Sequence, residues 1–352
     1  MKNISYETFI FRMSEKTKER NDLLGVHWAL TYKCNLRCRH CYLPVGSKAD
    51  AMPELSLAQV KNIIDQLYRC GCFDITFTGG EVFTRKDTLE VLAYLKSRGF
   101  HVSLVTNATL ITEKIAGFLK EFKPLLDVSV SLYGLSEKVN SRVVGVKKAL
   151  EPVLNAVRFL KENNVSCSIE TLLTRGNLRE FEAIREFARR QNIYFSYDYV
   201  IQPRLDGKKD VLKCQVPISE IRRQRYKDRD FTTSFEDCRY LKRLKFSKDR
   251  LFYCGAAKNY MAINPYGKAN ICLDLPLPEF DILEDGVKRV WNKIVEFAKN
   301  IKPSGEYHCY KCELGNFCVW CPAMGWSHKG NMNACVPFYK KLALMEKRAF
   351  DE

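Results

Sequence analysis

The sequence predicts an α/β protein, a partial (β/α)6 barrel followed by a C-terminal cysteine-rich domain. Between residues 26 and 201, six short segments rich in β-branched residues alternate with amphipathic helical segments. Such alternation is typical of a parallel sheet covered by helices, and six units are too few to close an eight-stranded barrel. Seven of the fifteen cysteines lie beyond Leu251, where the strand rhythm has ended.

The barrel elements follow in order along the chain. The predicted strands are His27–Tyr32, Phe73–Thr78, His101–Thr106, Asp127–Leu132, Val165–Leu173 and Tyr194–Ile201. The predicted helices are Leu57–Arg69, Thr88–Ser97, Thr112–Glu121, Lys147–Lys161 and Leu178–Arg190. Ser56 and Asp87 are placed to cap helix N-termini, and Gly71 and Gly99 to end helices.

By composition the chain divides into an N-terminal extension 1–25, the barrel 26–201, a basic connecting region 202–250 and the cysteine-rich domain 251–352. The connecting region holds 15 Lys and Arg against 8 Asp and Glu, and we expect one helix in it, near Ile218–Lys227. Two more helices are predicted at Asp285–Asn300 and Pro337–Arg348. A turn-rich cysteine domain of this kind usually folds around metal.

The composition, 46% hydrophobic and 28% charged, is globular and excludes a disordered chain. No apolar run approaches the roughly 18–20 residues of a membrane span, and Glu7, Arg12 and Glu15 interrupt any signal peptide. We therefore expect a cytoplasmic protein. Because the cytosol is reducing and fifteen is an odd number, the cysteines indicate metal binding rather than complete disulfide pairing.

The first cysteine group follows the first predicted strand and reads Cys34-Asn-Leu-Arg-Cys38-Arg-His-Cys41. Most iron–sulfur electron carriers use four cysteine ligands, so a compact group of three suggests a cluster with one open iron. The simpler alternative is a zinc site completed by His40. That alternative leaves unexplained why the group lies at the carboxyl end of a strand, where (β/α) barrels place their chemistry.

This CxxxCxxC spacing resembles the signature of the radical S-adenosylmethionine (SAM) enzymes. The resemblance implies that Cys34, Cys38 and Cys41 hold a [4Fe-4S] cluster whose open iron binds the amino and carboxylate groups of SAM. It also implies that reduction cleaves SAM to methionine and a 5′-deoxyadenosyl radical, which takes hydrogen from the substrate. His40 stands where the family often has an aromatic residue, and we expect it to pack at the site or beside the adenine.

A second match follows the second strand, where Gly79-Gly80-Glu81 resembles the GGE motif of the same family. Glycines let the backbone approach a ligand closely, and a carboxylate can accept a hydrogen bond from the SAM ammonium. Without the cysteine group, the same residues would indicate only a turn.

Two further positions resemble SAM contacts of the family. Ser131 ends the fourth strand in Ser-Leu-Tyr-Gly, where many relatives have Ser-Leu-Asp-Gly, so Tyr133 departs from the pattern. Arg142 lies at about the distance of an arginine that relatives use on the SAM carboxylate. The simpler readings are a strand-end hydroxyl and a solvated charge.

The C-terminal cysteines resemble the SPASM extension of radical SAM enzymes, which holds two auxiliary [4Fe-4S] clusters. The last close pair has two intervening residues, where relatives usually have three. By resemblance, the inner cluster takes Cys254, Cys272 and Cys321, and the outer one takes Cys309, Cys312, Cys318 and Cys335. Taken alone, the CxxC pairs would also fit zinc ribbons.

The inner set has a vacancy, because Tyr260 occupies the position where some relatives carry another cysteine. Cys238 and a substrate thiolate are the two candidates to fill it, and the sequence leaves both open. The remaining cysteines fit no cluster pattern, and we expect them to be structural: Cys70, Cys72, Cys167 and Cys214.

The resemblance implies a reaction class rather than a substrate. Enzymes with this tail often modify peptides, and our leading hypothesis is maturation of a ribosomal peptide or protein by crosslinking, epimerisation or oxidation. The alternative is a radical dehydrogenase or epimerase of a small metabolite or cofactor precursor. The net charge of +16 leaves a third, remote alternative, which is a zinc-binding nucleic-acid-binding protein. Against it, residues 202–250 interleave acids with bases and carry few aromatic residues.

The resemblance also implies SAM and three [4Fe-4S] clusters as cofactors, and an electron donor such as flavodoxin or ferredoxin. The stretch before the first strand is too short for a fused peptide-recognition domain, so a separate recognition protein is an expected partner. For proton handling we select Asp274, two residues beyond Cys272, and Asp198 in the last barrel strand. The simpler reading of each is a solvated or hydrogen-bonded carboxylate.

Overall fold

The computed structural model describes residues 6–43, 53–226 and 246–351. Its strands are β1 Gly25–Thr31, β2 Asp74–Gly79, β3 His101–Thr106, β4 Leu126–Ser131, β5 Ser166–Leu172, β6 Tyr194–Asp198, β7 Tyr260–Ile263, β8 Lys268–Asn270 and β9 Phe280–Asp281. They form one sheet in the spatial order β6-β5-β4-β3-β2-β1-β7-β8-β9. All neighbours from β6 to β7 are parallel, and β8 and β9 are antiparallel.

Helices surround this sheet. They are α1 Tyr6–Arg20, α2 Leu57–Arg69, α3 Thr88–Ser97, α4 Glu113–Lys120, α5 Glu137–Val144, α6 Leu150–Glu162, α7 Phe181–Arg190, α8 Ile218–Tyr226, α9 Ile282–Asp285, α10 Val287–Asn300, α11 Pro322–Lys329 and α12 Pro337–Asp351. The alternation from β1 to β6 confirms the predicted partial (β/α)6 barrel. Because its strands are parallel, all their carboxyl ends meet at one edge of the sheet.

The core lies between the sheet and its helices. Helix α2 buries Val60, Ile63, Ile64 and Leu67, which the helical period places on one face. Within the sheet, Trp28 of β1 packs against its register partner on β2, with ring centroids 5.7 Å apart. Burial of these apolar side chains fixes the register, and with it the edge from which the site loops leave.

Of the two predicted N-caps, only Ser56 forms side-chain capping hydrogen bonds. Its hydroxyl accepts from the Gln59 amide, and the Gln59 side chain accepts from the Ser56 amide, a reciprocal capping box. Asp87 occupies the N-cap position of α3, as predicted, but its side chain makes no cap hydrogen bond. Its carboxylate pairs instead with Arg85, at 2.6 Å from the guanidinium Nε. Gly71 and Gly99 end helices as predicted, both with positive φ.

The cysteine-rich part of the chain contributes to the barrel sheet, which the sequence did not predict. Strand β7 pairs in parallel with β1, so that Tyr260 lies opposite Gly25 and Ile263 opposite Trp28. The sheet then continues into two short antiparallel strands, β8 and β9. The cysteine-bearing loops around β7 and β8 are therefore attached directly to the strand that precedes the first cysteine group.

Among the helices of the described ranges, none is both long enough and apolar enough to cross a membrane.

Candidate active site

The loop that carries the first cysteine group, residues 32–42, follows β1 and rests on the end of α5. The amides of Arg37 and Arg39 donate to the carbonyls of Val144, at 2.9 Å, and Val143, at 3.0 Å. The loop is therefore held by the sheet on one side and by a helix end on the other.

Gly145 makes this contact between helix and loop sterically possible. It ends α5 with φ of +74°, and a Cβ atom there would lie 2.3 Å from the carbonyl oxygen of Arg37. Only a residue without a side chain allows the helix end to approach the cysteine loop this closely.

The thiols of this loop lie close enough to influence one another. Burial raises the pKa of Cys38, and the neighbouring Cys41 and Cys34 raise it further. Burial likewise raises the pKa of Cys34 and of Cys41. Three thiolates in one buried place need positive charge beside them, which the iron of a cluster supplies. The donor set therefore fits the cluster that the family resemblance implies.

The glycine pair after β2 packs against the backbone of the cysteine loop. The amides of Gly80 and Glu81 donate to the carbonyls of Thr31 and Lys33, both at 2.8 Å. A Cβ atom on Gly79 or Gly80 would lie 2.1 Å from those same oxygens. The glycines are thus required first by the approach of two backbone segments to each other, whereas the sequence predicts that they allow the approach of a ligand.

Glu81 is fully buried, and its carboxylate is engaged by the protein. The Thr106 hydroxyl donates to both of its oxygens, and the amides of Asn107 and Phe83 donate at 2.8 and 3.1 Å. Burial raises the pKa of Glu81, and these hydrogen bonds act in the opposite direction. The structure thus gives Glu81 protein partners at the position where the sequence predicts a contact with the SAM ammonium.

A cavity of about 420 Å³ opens at the carboxyl edge of the sheet. Of the predicted site residues it is lined by Cys34, Cys38, His40, Cys41, Gly79, Gly80, Ser131, Asp198 and Asp274. It therefore brings together residues of the cysteine loop, the glycine pair, Ser131 of β4 and two carboxyl groups. A cavity with convergent polar groups at this edge is where a (β/α) barrel binds its substrates.

His40, Tyr133 and Ser131 form one wall of the cavity. The rings of His40 and Tyr133 are 4.8 Å apart, and Tyr133 forms a side-chain hydrogen bond with Ser131. Burial lowers the pKa of His40 to about 4, so the imidazole is neutral, and its Nδ1 has no hydrogen-bond partner among the described residues. Tyr133, which departs from the family pattern, is thus the residue that packs against His40.

Arg142 lies apart from this wall. It is exposed on α5 and lines a second cavity that adjoins the first, rather than the cavity with the glycine pair.

Asp198 and Asp274 both face the cavity, from β6 and from the loop after β8. Burial raises the pKa of both carboxyl groups, although Asp198 is reached by solvent through the cavity. Two backbone amides, those of Tyr199 and Val200, donate to Asp198. Asp274 has a side-chain hydrogen bond with Gln202, and the nearby charge of Asp198 raises its pKa further. The two carboxyl groups are therefore neighbours.

Four C-terminal cysteines form an outer group. Burial, together with the charges of the other members, raises the pKa of Cys309 to about 12; those members are Cys318, Cys335 and Cys312. These are the four residues that the resemblance assigns to the outer cluster.

Three further cysteines form an inner group beside the cavity. Burial raises the pKa of Cys272, and Asp274, Cys321 and Cys254 raise it further. Because Asp274 lines the cavity, the inner group adjoins the place where a substrate would lie. Cys238, the candidate fourth ligand, lies outside the described residues.

Trp320 links the two groups. Its indole N–H donates to the carbonyl of Ala334 at 3.0 Å, next to Cys335 of the outer group. Its own carbonyl accepts a hydrogen bond from the Tyr253 hydroxyl, next to Cys254 of the inner group. The inner and outer groups are therefore parts of one packed unit.

The remaining described cysteines belong to none of these groups. Cys72 is buried, and Cys70, Cys167 and Cys214 are half-buried. Cys214 lies beside the cysteine loop, where its thiol donates to the Arg39 carbonyl at 3.6 Å. Within the described ranges, no three His, Cys, Asp or Glu side chains converge tightly enough to hold a single metal ion. The thiolates that hold a [4Fe-4S] cluster bind separate iron atoms, so they need not converge on one ion.

Two polar residues of the site were not predicted from the sequence. Asn107 follows β3, lines the cavity and donates from Nδ2 to Cys34 Sγ at 3.8 Å. Gln202 follows β6, lines the cavity and contacts Asp274. Both stand just beyond the carboxyl ends of barrel strands, and that position is the signal that could have found them.

Comparison with known proteins agrees with this geometry. The model of the Radical SAM superfamily matches residues 28–188. The mycofactocin maturase MftC of Mycolicibacterium smegmatis is 30% identical over 301 residues, covering 81% of this chain and 74% of that protein. An AdoMet-dependent heme synthase of Oleidesulfovibrio alaskensis is 26% identical over 348 residues, covering 89% of this chain and 86% of that protein.

Among solved structures, Streptococcus suis SuiB bound to S-adenosylmethionine has a TM-score of 0.72 at 19% identity, over 97% of this chain and 84% of that one. SuiB bound to precursor peptide SuiA gives 0.69 at 18% identity, over 95% and 80%. These structural similarities support the fold, and the sequence matches show to which family the chain belongs. The chain belongs to the radical SAM superfamily.

Proposed function

We propose that this protein matures a ribosomally made peptide or protein by radical SAM chemistry. The observation that carries the proposal is the inner cysteine group at the cavity wall, where Asp274 adjoins both Cys272 and the substrate space. A second redox centre beside the substrate suits an oxidative modification, in which a substrate radical loses one more electron. The relative named as a mycofactocin maturase, and SuiB solved with its precursor peptide, support a peptide as the substrate class.

Three cysteine sets hold the iron–sulfur groups in this proposal. As a radical SAM enzyme the protein uses SAM and [4Fe-4S] clusters, which supply hydrogen-atom abstraction through reductive cleavage of SAM when they are bound. We assign Cys34, Cys38 and Cys41 to the SAM-binding cluster. The auxiliary ligands are Cys309, Cys312, Cys318 and Cys335 in the outer set, and Cys254, Cys272 and Cys321 in the inner set.

The other cavity residues position SAM and the substrate. Gly79 and Gly80 form a wall without side chains, so backbone atoms face the ligand. Ser131 and Asn107 present a hydroxyl and an amide at neighbouring strand ends, where they can bind the polar groups of SAM. Tyr133 lies beside this region, where it packs against His40 and holds the Ser131 hydroxyl by a hydrogen bond.

Asp274 is the proposed proton acceptor, and Asp198 is the second candidate. Both line the cavity, and Asp274 is held in place by Gln202. A carboxylate between the inner cysteine group and the substrate space can take the proton that leaves the substrate as it is oxidised.

We propose that the chain has four parts: an extension 1–25, a barrel 26–201, a connecting region 202–250 and an auxiliary-cluster domain 251–352. The expected partners are an electron donor of the flavodoxin or ferredoxin type and a separate peptide-recognition protein. We place the enzyme in the cytoplasm, where reducing conditions keep its cysteines available.

A small cofactor precursor is the alternative substrate. It is supported by the relative named as an AdoMet-dependent heme synthase, which aligns over most of both chains. The inner cysteine group would serve an oxidation of that kind equally well.

The test is anaerobic incubation of the reconstituted enzyme with SAM, dithionite and each short peptide encoded beside its gene, followed by mass spectrometry. We expect one peptide to lose hydrogen atoms or gain a crosslink, with stoichiometric 5′-deoxyadenosine. A variant with Ala at Cys34, Cys38 and Cys41 should form no 5′-deoxyadenosine and keep the iron of its C-terminal groups. Modification of a heme precursor, with every peptide unchanged, would establish the alternative.

A further inference from the structure

A second cavity, of about 570 Å³, adjoins the catalytic one and is lined by basic side chains. It lies between the cysteine loop, the end of α5, the loop after β5 and the segment 204–214. We call it the basic side cavity. Its cationic lining consists of Arg37, Arg39, Arg142, Arg175, Arg204 and Lys213.

Little of this charge is neutralised by the protein. Asp210 is the one carboxylate among the described lining residues, and it is paired with Arg204 at 3.1 Å. Arg37 donates to the carbonyls of Cys34 and Leu36, at 2.7 and 2.8 Å, and these oxygens carry no formal charge.

Arg175 likewise donates to a carbonyl, that of Gln215, at 2.9 Å. The side chains of Arg39, Arg142 and Lys213 form no hydrogen bond or ion pair with any residue of the described ranges. Several cations facing one space without partners favour an anionic ligand there.

The basic side cavity is continuous with the catalytic one. Arg37, Cys38, His40 and Arg204 line both. A chain lying across this shared wall would present one residue to the catalytic cavity and its neighbours to the basic lining.

We propose that the basic side cavity binds acidic side chains of the peptide substrate that lie beside the modified residue. This inference rests on the proposed peptide function. Arginine forks suit carboxylates because both groups are planar and bidentate. A single carboxylate, such as that of SAM, would pair with one cation, whereas the cations of this lining can bind two or more carboxylates.

The probe is fluorescein-labelled hexaglutamate, with labelled hexaglutamine as the uncharged control. Binding to the reconstituted, SAM-loaded enzyme is measured by fluorescence anisotropy under anaerobic conditions. We expect hexaglutamate to bind, hexaglutamine to bind far more weakly, and affinity for hexaglutamate to fall as salt is added.

Two variants locate the binding. Lys213→Glu places a carboxylate in the basic side cavity and should weaken hexaglutamate binding about ten-fold or more. Lys120→Glu makes the same charge change on α4, outside the lining of both cavities, and should change affinity less than about two-fold. Lys213 and Lys120 are both exposed, so either variant should fold.

Equal affinity in the two variants would overturn the proposal. So would loss of SAM binding by Lys213→Glu, measured by equilibrium dialysis, with hexaglutamate binding retained, because the cavity would then serve the carboxylate of SAM. Failure of the proposed peptide function is detected separately, as the absence of any mass change when the parental enzyme is incubated with candidate peptides.

Discussion

The Thr106 hydroxyl donates to the Glu81 carboxylate and lies 2.8 and 2.9 Å from its two oxygens. Two backbone amides complete the set of donors, one of them from Asn107 at the cavity edge. Glu81 therefore joins the end of β3 to the glycine pair after β2. We infer that it acts on SAM through Asn107 and the glycines, as a positioning residue.

We predict that Glu81→Gln lowers both stability and SAM affinity. The glutamine side chain would present its N–H group to hydroxyl or amide donors that now face a carboxylate oxygen. A buried donor left without an acceptor lowers the free energy of unfolding by about 1–3 kcal/mol. The displaced Asn107 should weaken SAM binding by about one to two decades, as equilibrium dialysis can show. Thr106→Val should lower the urea midpoint in the same direction.

Thr76→Val is the matched control, because Thr76 lies in β2 and its hydroxyl has no hydrogen bond to the described part of the chain. It should leave both quantities nearly unchanged. Unaltered stability of Glu81→Gln, together with lost SAM affinity, would mean that Glu81 contacts SAM directly.

Local signals explain which elements the sequence could predict. Helix α2 was predicted with its correct ends because its apolar period and its Ser56 capping box are both local. Strand β7 was missed because it has four residues, and its stability comes from pairing with β1, more than 200 residues earlier. Helix α5 was missed because its exposed face is rich in polar and charged residues, although Ser136 caps it.

The candidate site likewise combines features that local sequence predicts with contacts that it does not. The first cysteine group is compact in sequence, so its spacing and its position after the first strand were enough to indicate a cluster. The contact of Glu81 with Thr106 joins residues 25 positions apart, one in the turn after β2 and one at the end of β3, and no sequence motif predicts it. The predicted Arg142 contact depended on a family distance, whereas the structure sets Arg142 in the basic side cavity.

Gly145→Ala should impair cluster assembly in the cysteine loop. A methyl group there would press on the Arg37 carbonyl and displace the loop that carries Cys34, Cys38 and Cys41. Gly99→Ala is the matched control, because Gly99 has a nearly equal φ of +73° and open space around it. Both variants should lose about 1 kcal/mol from backbone strain.

The measurement is iron bound per protein after anaerobic reconstitution, together with 5′-deoxyadenosine formation. Gly145→Ala should lose iron and activity, whereas Gly99→Ala should retain both. Equal iron content in the two variants would contradict a role for Gly145 in supporting the loop.

At the opposite edge of the sheet, His101 makes folding stability depend on pH. Burial lowers the pKa of His101, but hydrogen bonds with Asp127 and Asp74 outweigh this effect and raise it to about 9. A raised histidine pKa stabilises the fold fully below the unfolded value of about 6.5, and the stabilisation is lost as pH rises through 9. Its size is about 3 kcal/mol.

Urea unfolding between pH 6 and 10 tests this link. The parental midpoint should fall across that range, and His101→Gln should show a smaller fall, because its side chain does not titrate. The cysteines common to both proteins titrate in both, so the difference between the two curves isolates His101. Parallel curves would show that folding leaves the pKa of His101 unchanged.

Asp274→Asn should separate SAM cleavage from product formation. Asparagine keeps the shape of Asp274 and a hydrogen bond to Gln202, but it cannot accept the substrate proton. We expect 5′-deoxyadenosine to form at the parental rate while product falls by about two decades or more, the contribution of a general base. Asp198→Asn, across the same cavity, is the matched variant and should reduce product less. Iron content must be equal in all three proteins, because Cys272 lies two residues from Asp274. If Asp274→Asn makes product at the parental rate and Asp198→Asn does not, the proton acceptor is Asp198.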